Sequence, residues 1–295
     1  MGLKNGAASR ELGALLRKHR EAAGLTLIQL GELVGRSAPS LFRLEVGERG
    51  SSTEVEVVHY LVACGAAFQD VQRLVRFSRE LSDERGYWLC SHGEWMGDSL
   101  RSLVFHESSV ARSLSYEPEV IPGMLQTEAY MRALLLPNVA PGADVERSVQ
   151  ARIERQCTLF RRNAAKFTFL VHERALRTVV NDRRTMAEQL LAMLFLADQW
   201  NIKIRIVPEG QSFGGSFRIF EFDRFKTLVY LDNHVGGLFL QDKTHVESYT
   251  SVLRRVAAVA LDAQDSRMLI ADLAGEHDRV EDCRNDTGRV AQEQL

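Results

Sequence analysis

The feature that most constrains this chain is the glycine punctuation of its amino-terminal part. Gly24, Gly35 and Gly47 cut a helix-patterned stretch into pieces too short to be stable alone, so the pieces must pack on one another. From Glu11 to Ala23, Leu12, Leu15 and Leu16 recur at helical spacing, with Arg17, Lys18 and Arg20 opposite. Gly24 can take the left-handed conformation that ends a helix. Thr26 is placed to cap a short helix from Leu27 to Val34, which Gly35 ends. Ser37 is placed to cap the next, with Pro39 in its first turn, where a missing N–H costs nothing, and Gly47 closes it. Ser52 and Thr53 open a fourth helix running to about Ala63, and Phe68 to Leu81 reads as a fifth. The expectation is an all-α head of five helices.

Within it, Gly24 to Arg49 has the parts of a helix-turn-helix. Leu30 with Leu33 or Val34 faces inward from the first helix, Gly35 makes the turn, and Leu41 and Leu44 face inward from the second. That leaves Ala38, Pro39, Ser40, Phe42 and Arg43 outward, where such modules meet base edges in the major groove.

The run "LRKHREAAGLTLIQLGELVGRSAPSLFRLEVGER" resembles the XRE-type helix-turn-helix, carried by Thr26, Leu30, Gly31 in the alanine place, Gly35, Ser37, Arg43, Leu44, Glu45 and Gly47. The resemblance implies a lambda-repressor-like fold and binding to double-stranded DNA. Two positions depart from it. Leu27 stands where the family has a phosphate-gripping glutamine, and Ala38 and Pro39 stand where long polar readers are common. Arg43 is then the strong base reader, since a bidentate arginine–guanine contact discriminates by about 1–3 kcal/mol. Ser40 can meet a phosphate or a base, and Ala38 or Phe42 a thymine methyl. Thr26, Arg36, Ser37 and Arg49, with the amino end of the second helix, complete the candidate contacts. With one arginine reading, specificity is expected to come from a homodimer on an inverted-repeat operator and from DNA shape.

Charge agrees in sign. Met1 to Gly50 holds eight Lys or Arg and five Asp or Glu, a net +3 on a chain whose total is −2. Cys64, Cys90, Cys157 and Cys283 are widely spaced with no Cys-x-x-Cys pair, as expected of incidental thiols in a reducing compartment. No signal-like start is visible, and the apolar run Leu190 to Ala197 is far too short to span a bilayer. A cytoplasmic, nucleoid-associated protein with no membrane contact is expected.

Ser82 to Gly97, with Trp88 and Trp95, reads as a junction (83–97) between a head (1–82) and a body (98–275). The body opens with a helical segment to about Ser113 and a turn-rich run, then helices over Thr127 to Leu135 and Asp144 to Ala164. After that the period changes. "KFTFLVH", "IKIRIVP", "FRIFEF" and "TLVYLD" read as strands, with helices at Met186 to Trp200 and Thr244 to Ala263. This is an α+β domain with a small mixed or antiparallel sheet. Glu276 to Leu295 is polar and aperiodic, as in a disordered tail.

No catalytic constellation is found. "HERAL" at His172 and "HESSV" at His106 lack the second histidine of a zinc helix, and "FGGSF" at Phe213 lacks the glycine spacing of a nucleophile elbow or dinucleotide loop. The body is expected to be neither an enzyme nor a cofactor carrier. "SYEPEVIPGMLQTEAYMRALL", Arg152, Arg155, Gln156, "ERALR", "NIKIRIVP", "GGSFRIFEF" and "LVYLD" resemble the carboxy-terminal domain of WhiJ-like regulators, XRE-headed proteins abundant in filamentous actinomycetes. The resemblance implies an antitoxin-like repressor with a small cognate partner protein, tied to sporulation or antibiotic production. Ile121, Met124 and Tyr130 are the candidate docking residues, with core positions as the bland alternative. Two other readings stand beside this one: a repressor sensing a small molecule under the Gly214–Gly215 loop, and an interaction scaffold with a degenerate head.

Overall fold

The computed structural model describes residues 6–48, 52–81, 86–91, 98–138, 144–161, 164–233 and 236–292. The head consists of α1 (Ala7–Ala22), α2 (Leu27–Val34), α3 (Ala38–Glu45), α4 (Glu54–Ala63) and α5 (Phe68–Leu81). Leu12, Leu16, Leu30, Leu41, Leu44, Val57, Tyr60, Leu61 and Leu74 form its core. Leu27 and Val34 pack at its edge, whereas Leu33 is 62% exposed, so Val34 is the inward residue of the pair. Thr26 and Thr53 each accept from the backbone N–H three residues on and receive a side-chain return, a full capping box. Ser37 makes no side-chain cap, contrary to expectation; Pro39 helps fix the start of α3 instead. Gly13 is required where α1 crosses α3, because a Cβ there would run into the carbonyls of Leu44 and Glu45.

The body is built on β1 (Tyr87–Ser91), β2 (Arg112–Glu117), β3 (Lys166–His172), β4 (Ile202–Val207), β5 (Phe217–Glu221), β6 (Leu228–Asn233) and β7 (Gly236–Leu240). They form one mixed sheet in the order β1-β7-β6-β5-β2-β3-β4, larger than the small sheet expected. β2, β3 and β4 are parallel, and the other pairings are antiparallel. The helices are α6 (Asp98–Glu107), α7 (Glu128–Leu135), α8 (Val145–Gln156), α9 (Glu173–Arg177), α10 (Arg183–Leu196), α11 (Lys243–Val259) and α12 (Ala263–Gln292).

Strand alternation sorts the core onto two faces. Phe167, Phe169 and Val171 of β3, with Ile202, Ile204 and Ile206 of β4, pack under α10 and α12. Phe217, Ile219 and Val229 point to the opposite face, against Leu253 and Val256 of α11. Three expectations are corrected here. The junction supplies β1, an edge strand whose Trp88 stacks on Phe239 with ring centroids 5.0 Å apart. The region read as helix to Ser113 breaks after Glu107 and re-forms as β2. The polar tail begins inside α12, which continues as helix to Gln292, with His277 buried and bonded to the Leu176 carbonyl at 3.2 Å.

Head and body share a seam. Ala7 and Ala8 of α1 are buried with Trp88, Leu103, Phe220 and Phe239. The Ala7 N–H donates to Gln241 Oε1 at 2.9 Å. Buried Glu11 accepts from the Ser102 hydroxyl and lies 3.2 Å from His106 Nε2. The Arg10 guanidinium sits 3.6 Å from the Phe225 ring centroid, and burial lowers its pKa to about 10.

Candidate nucleic-acid interface

The turn between α2 and α3 sets the geometry of the candidate site. Gly35 holds φ at +66°, and Gly31 lies so close to the Arg36 carbonyl that a Cβ would collide with it. That contact explains why glycine stands at this position: the chain re-enters the second helix more tightly than a side chain allows. Leu41 and Leu44 then face the core, and α3 presents Pro39, Phe42 and Arg43 to solvent with Ala38 and Ser40 half-buried. With the body in place Ile28 remains 67% exposed and Phe42 49%, so this face is open in the folded chain.

What each candidate can do differs. The Arg43 side chain is exposed and makes no ion pair or hydrogen bond among the described residues, leaving its whole donor fork available. Arg36 donates to Glu56 at 2.6 Å, so a phosphate must compete with a carboxylate for it. The Thr26 hydroxyl is engaged in the α2 cap at 3.2 Å from the Gln29 N–H. Ser37, free of capping duty, keeps an exposed hydroxyl at the amino end of α3, where the backbone amides favour an anion. Arg49 lies outside the described residues.

Leu27 is half-buried at the edge of the core, where the apolar side chain contributes packing a glutamine would not. Sequence reasoning missed Gln29. Its Oε1 accepts from the Thr26 N–H at 2.9 Å, which leaves its amide NH2 exposed in the first turn of α2. The Thr-x-x-Gln capping-box spacing was the available signal.

Beneath the interface, Arg20 of α1 makes a two-point pair with Glu45 of α3, at 2.6 and 2.8 Å. Tyr60 of α4 donates to the same carboxylate at 2.6 Å. Burial and that carboxylate push the Tyr60 hydroxyl pKa well above its ordinary value, and the hydrogen bond to Glu45 raises that of Arg20. The glutamate of the closing motif is therefore a brace that fixes the tilt of α3.

The candidate docking residues have moved inward. Ile121, Met124 and Tyr130 are 0%, 2% and 0% exposed in the core under α10, so they offer no docking surface. Their motif is held instead by Gln126, donating to the Ile121 carbonyl at 2.7 Å, and Gln189, donating to the Leu125 carbonyl at 2.8 Å. His172 is likewise structural: Nδ1 accepts from the Arg174 N–H at 3.1 Å, and Nε2 is 2.9 Å from the Gln211 carbonyl. Among the described residues no group of three His, Cys, Asp or Glu is arranged to hold a metal, and no helix is long and apolar enough to cross a membrane.

Residues 11–74 match a helix-turn-helix domain. The clp gene regulator ClgR from C. glutamicum is similar at 34% identity over 24% of this chain and 90% of that one, with a TM-score of 0.21. TrmBL2, an archaeal chromatin protein, is similar at 10% identity over 81% of this chain and 88% of that one, with a TM-score of 0.30. No curated protein matches the chain. Residues 100–272, more than half the chain, match a domain of unknown function, DUF5753, and the chain therefore belongs to that family, with a helix-turn-helix domain in front.

Proposed function

We propose that this chain is a sequence-specific transcriptional regulator that binds double-stranded DNA through α3. The observation that carries the reading is an exposed, unpaired Arg43 on a helix whose tilt is braced from below by Arg20, Glu45 and Tyr60. α3 enters the major groove, Arg43 takes guanine O6 and N7, and Phe42 packs on a thymine methyl. Ser37, the amino end of α3 and the Gln29 amide hold phosphates, which restores the grip lost with Leu27. Glu32, exposed beside them, adds local repulsion and favours a narrow fit over indiscriminate polyanion binding.

One arginine per head gives modest selectivity. A homodimer on an inverted repeat, with half-sites about 34–36 Å apart, doubles the contacts and adds the spacing as a criterion. The operator is placed upstream of the chain's own gene, which gives autoregulation, and the protein sits on the nucleoid. The α+β body answers to a small cognate protein in the antitoxin-like, WhiJ-like manner, and that partner must bind the DNA-competent and incompetent states with different affinity.

Footprinting on the chain's own promoter region, wild type beside Arg43→Ala, tests this. The expected result is a protected inverted repeat that the substitution weakens by about 1–3 kcal/mol. Absence of salt-dependent protection would leave the degenerate-scaffold reading in its place.

A further inference from the structure

A cleft of about 630 Å³ opens on the sheet face that carries α11, beneath the connection from β4 to β5. That volume is in the range of small-molecule sites, roughly 300–1,000 Å³. Its floor is Phe217, Leu231 and Leu238, and its side wall is Tyr249 and Val252 of α11. The rings are set at angles rather than stacked shut: Phe217 and Tyr249 are 5.1 Å apart at 56°.

The roof is Phe213–Gly214–Gly215. Gly214 has φ at +86°, and a Cβ at either glycine would meet nothing within 4 Å, whereas Phe213 packs edge-on against the Tyr116 ring, 6.1 Å between centroids, so the glycines are the part of the roof able to settle. The rim offers hydroxyls from Ser216 and Ser248, and the Arg255 guanidinium lies 5.7 Å from the Phe213 ring centroid at the roof; the Asp232 carboxylate bonds with the Tyr230 hydroxyl on the other face of the sheet. Such a lining favours an apolar guest with a few hydrogen-bonding groups.

The position of the cleft matters as much as its shape. Leu238 in its floor lies on β7, and the strand runs directly into Gln241, whose Oε1 holds the first N–H of α1 at 2.9 Å. The next residue, Asp242, caps α11 by accepting from the Thr244 N–H at 2.8 Å. Floor and side wall therefore meet at the segment that anchors the helix-turn-helix head.

We propose that this cleft binds a compact, mainly apolar, uncharged small molecule carrying one or two hydrogen-bonding groups. Occupancy closes the roof, shifts β7 against α11, and alters DNA affinity through Gln241. This second step rests on the DNA-binding reading above; the first does not.

The test uses the full chain and Nile red, an uncharged apolar fluorophore. Saturable, blue-shifted Nile red emission at one site is expected. Val252→Trp fills the side wall, and Ser248→Trp, on the exposed face of α11, blocks the rim without a core change; each is expected to weaken Nile red by about tenfold or more. No saturable binding, or wild-type affinity in either tryptophan variant, overturns the site. Operator affinity is then compared with and without Nile red, in wild type and in Gln241→Leu. A shift in wild type that Gln241→Leu abolishes, while Nile red binding persists, supports the coupling. A bound fluorophore with unchanged DNA affinity overturns the coupling alone. Absence of all DNA binding overturns the functional reading and leaves the fluorescence result standing for the cleft.

Discussion

Arg20 and Arg43 belong to the same head but to different chemistry. Arg20 is nearly enclosed, with a side chain only 11% exposed, and every strong contact it makes is to α3 or to the turn beside it. Removing its partner strands a buried charge, so Glu45→Ala is expected to cost about 3–5 kcal/mol in urea unfolding. Arg43→Ala should stay within about 0.5 kcal/mol in the same experiment, because an exposed side chain without partners leaves nothing behind. Similar costs for the two would contradict the separation of a buried brace from a free, exposed side chain. His106 gives a second test at this scale. Burial lowers its pKa below the ordinary 6.5, while Glu11 pulls the other way, with Arg10 and Glu107 also facing it. The unfolded chain then binds the proton more readily, so this contribution to stability is complete above pH 6.5 and is lost as pH falls below it toward the folded pKa. Buried Glu117, raised by desolvation, has the opposite sign, so the informative quantity is a difference. Urea midpoints of wild type against His106→Gln should diverge less at pH 5.5 than at pH 7.5; a gap that widens in acid would reverse the argument.

Among the elements, capping is where sequence and structure diverge in an instructive way. Thr53 and Ser37 both precede a helix, and both look like caps. Only Thr53 accepts a backbone N–H, at 3.3 Å from Glu56 N, with the Glu56 carboxylate returning to the Thr53 N–H. Thr53→Ala is therefore expected to cost about 1 kcal/mol, and Ser37→Ala roughly a few tenths, by thermal unfolding. The reverse order would mean that α3 is capped in solution as its sequence suggests. The head was legible because its helix ends are written in local chemistry: glycine at Gly24, Gly35 and Gly47, hydroxyls at Thr26 and Thr53. Strands β3 to β6 were legible too, since their runs are β-branched and aromatic. β1, β2 and β7 were not. "RSLSYE" is polar because its inward Ser113 and Ser115 lie beneath the polar layer of Glu107, Arg155 and Arg218, and "GGLFL" needs Gly237 because the Tyr230 ring occupies the space of a Cβ. Each depends on a neighbour distant in sequence. Arg43 and Phe42 were readable as outward from helical period alone, whereas Ile121, Met124 and Tyr130 show that a turn-rich run with prolines can still be core.

At the scale of the whole molecule, α6 is the piece that makes one body of two. Its Ser102 and His106 close on Glu11 of the head, while Glu107, the next residue after His106, takes both arms of Arg155 at 2.6 and 2.7 Å and reaches Arg218 at 3.2 Å. A displacement of α8 or of β5 thus has a short, charged route to α1, the helix that braces α3 through Arg20. Rigid coupling of this kind requires that the head not melt independently. Ala7 is fully buried among Trp88, Phe220 and Phe239, so α1 cannot unfold without opening the body's own core. Scanning calorimetry of the full chain should therefore give a single transition whose calorimetric and van't Hoff enthalpies agree. Ala7→Glu places an unpaired carboxylate in that cluster and should divide the melt in two, the smaller, earlier transition belonging to the head. Two transitions already present in the wild type would mean that the seam is a resting contact, and that the body reaches the head by steric position and not through α1.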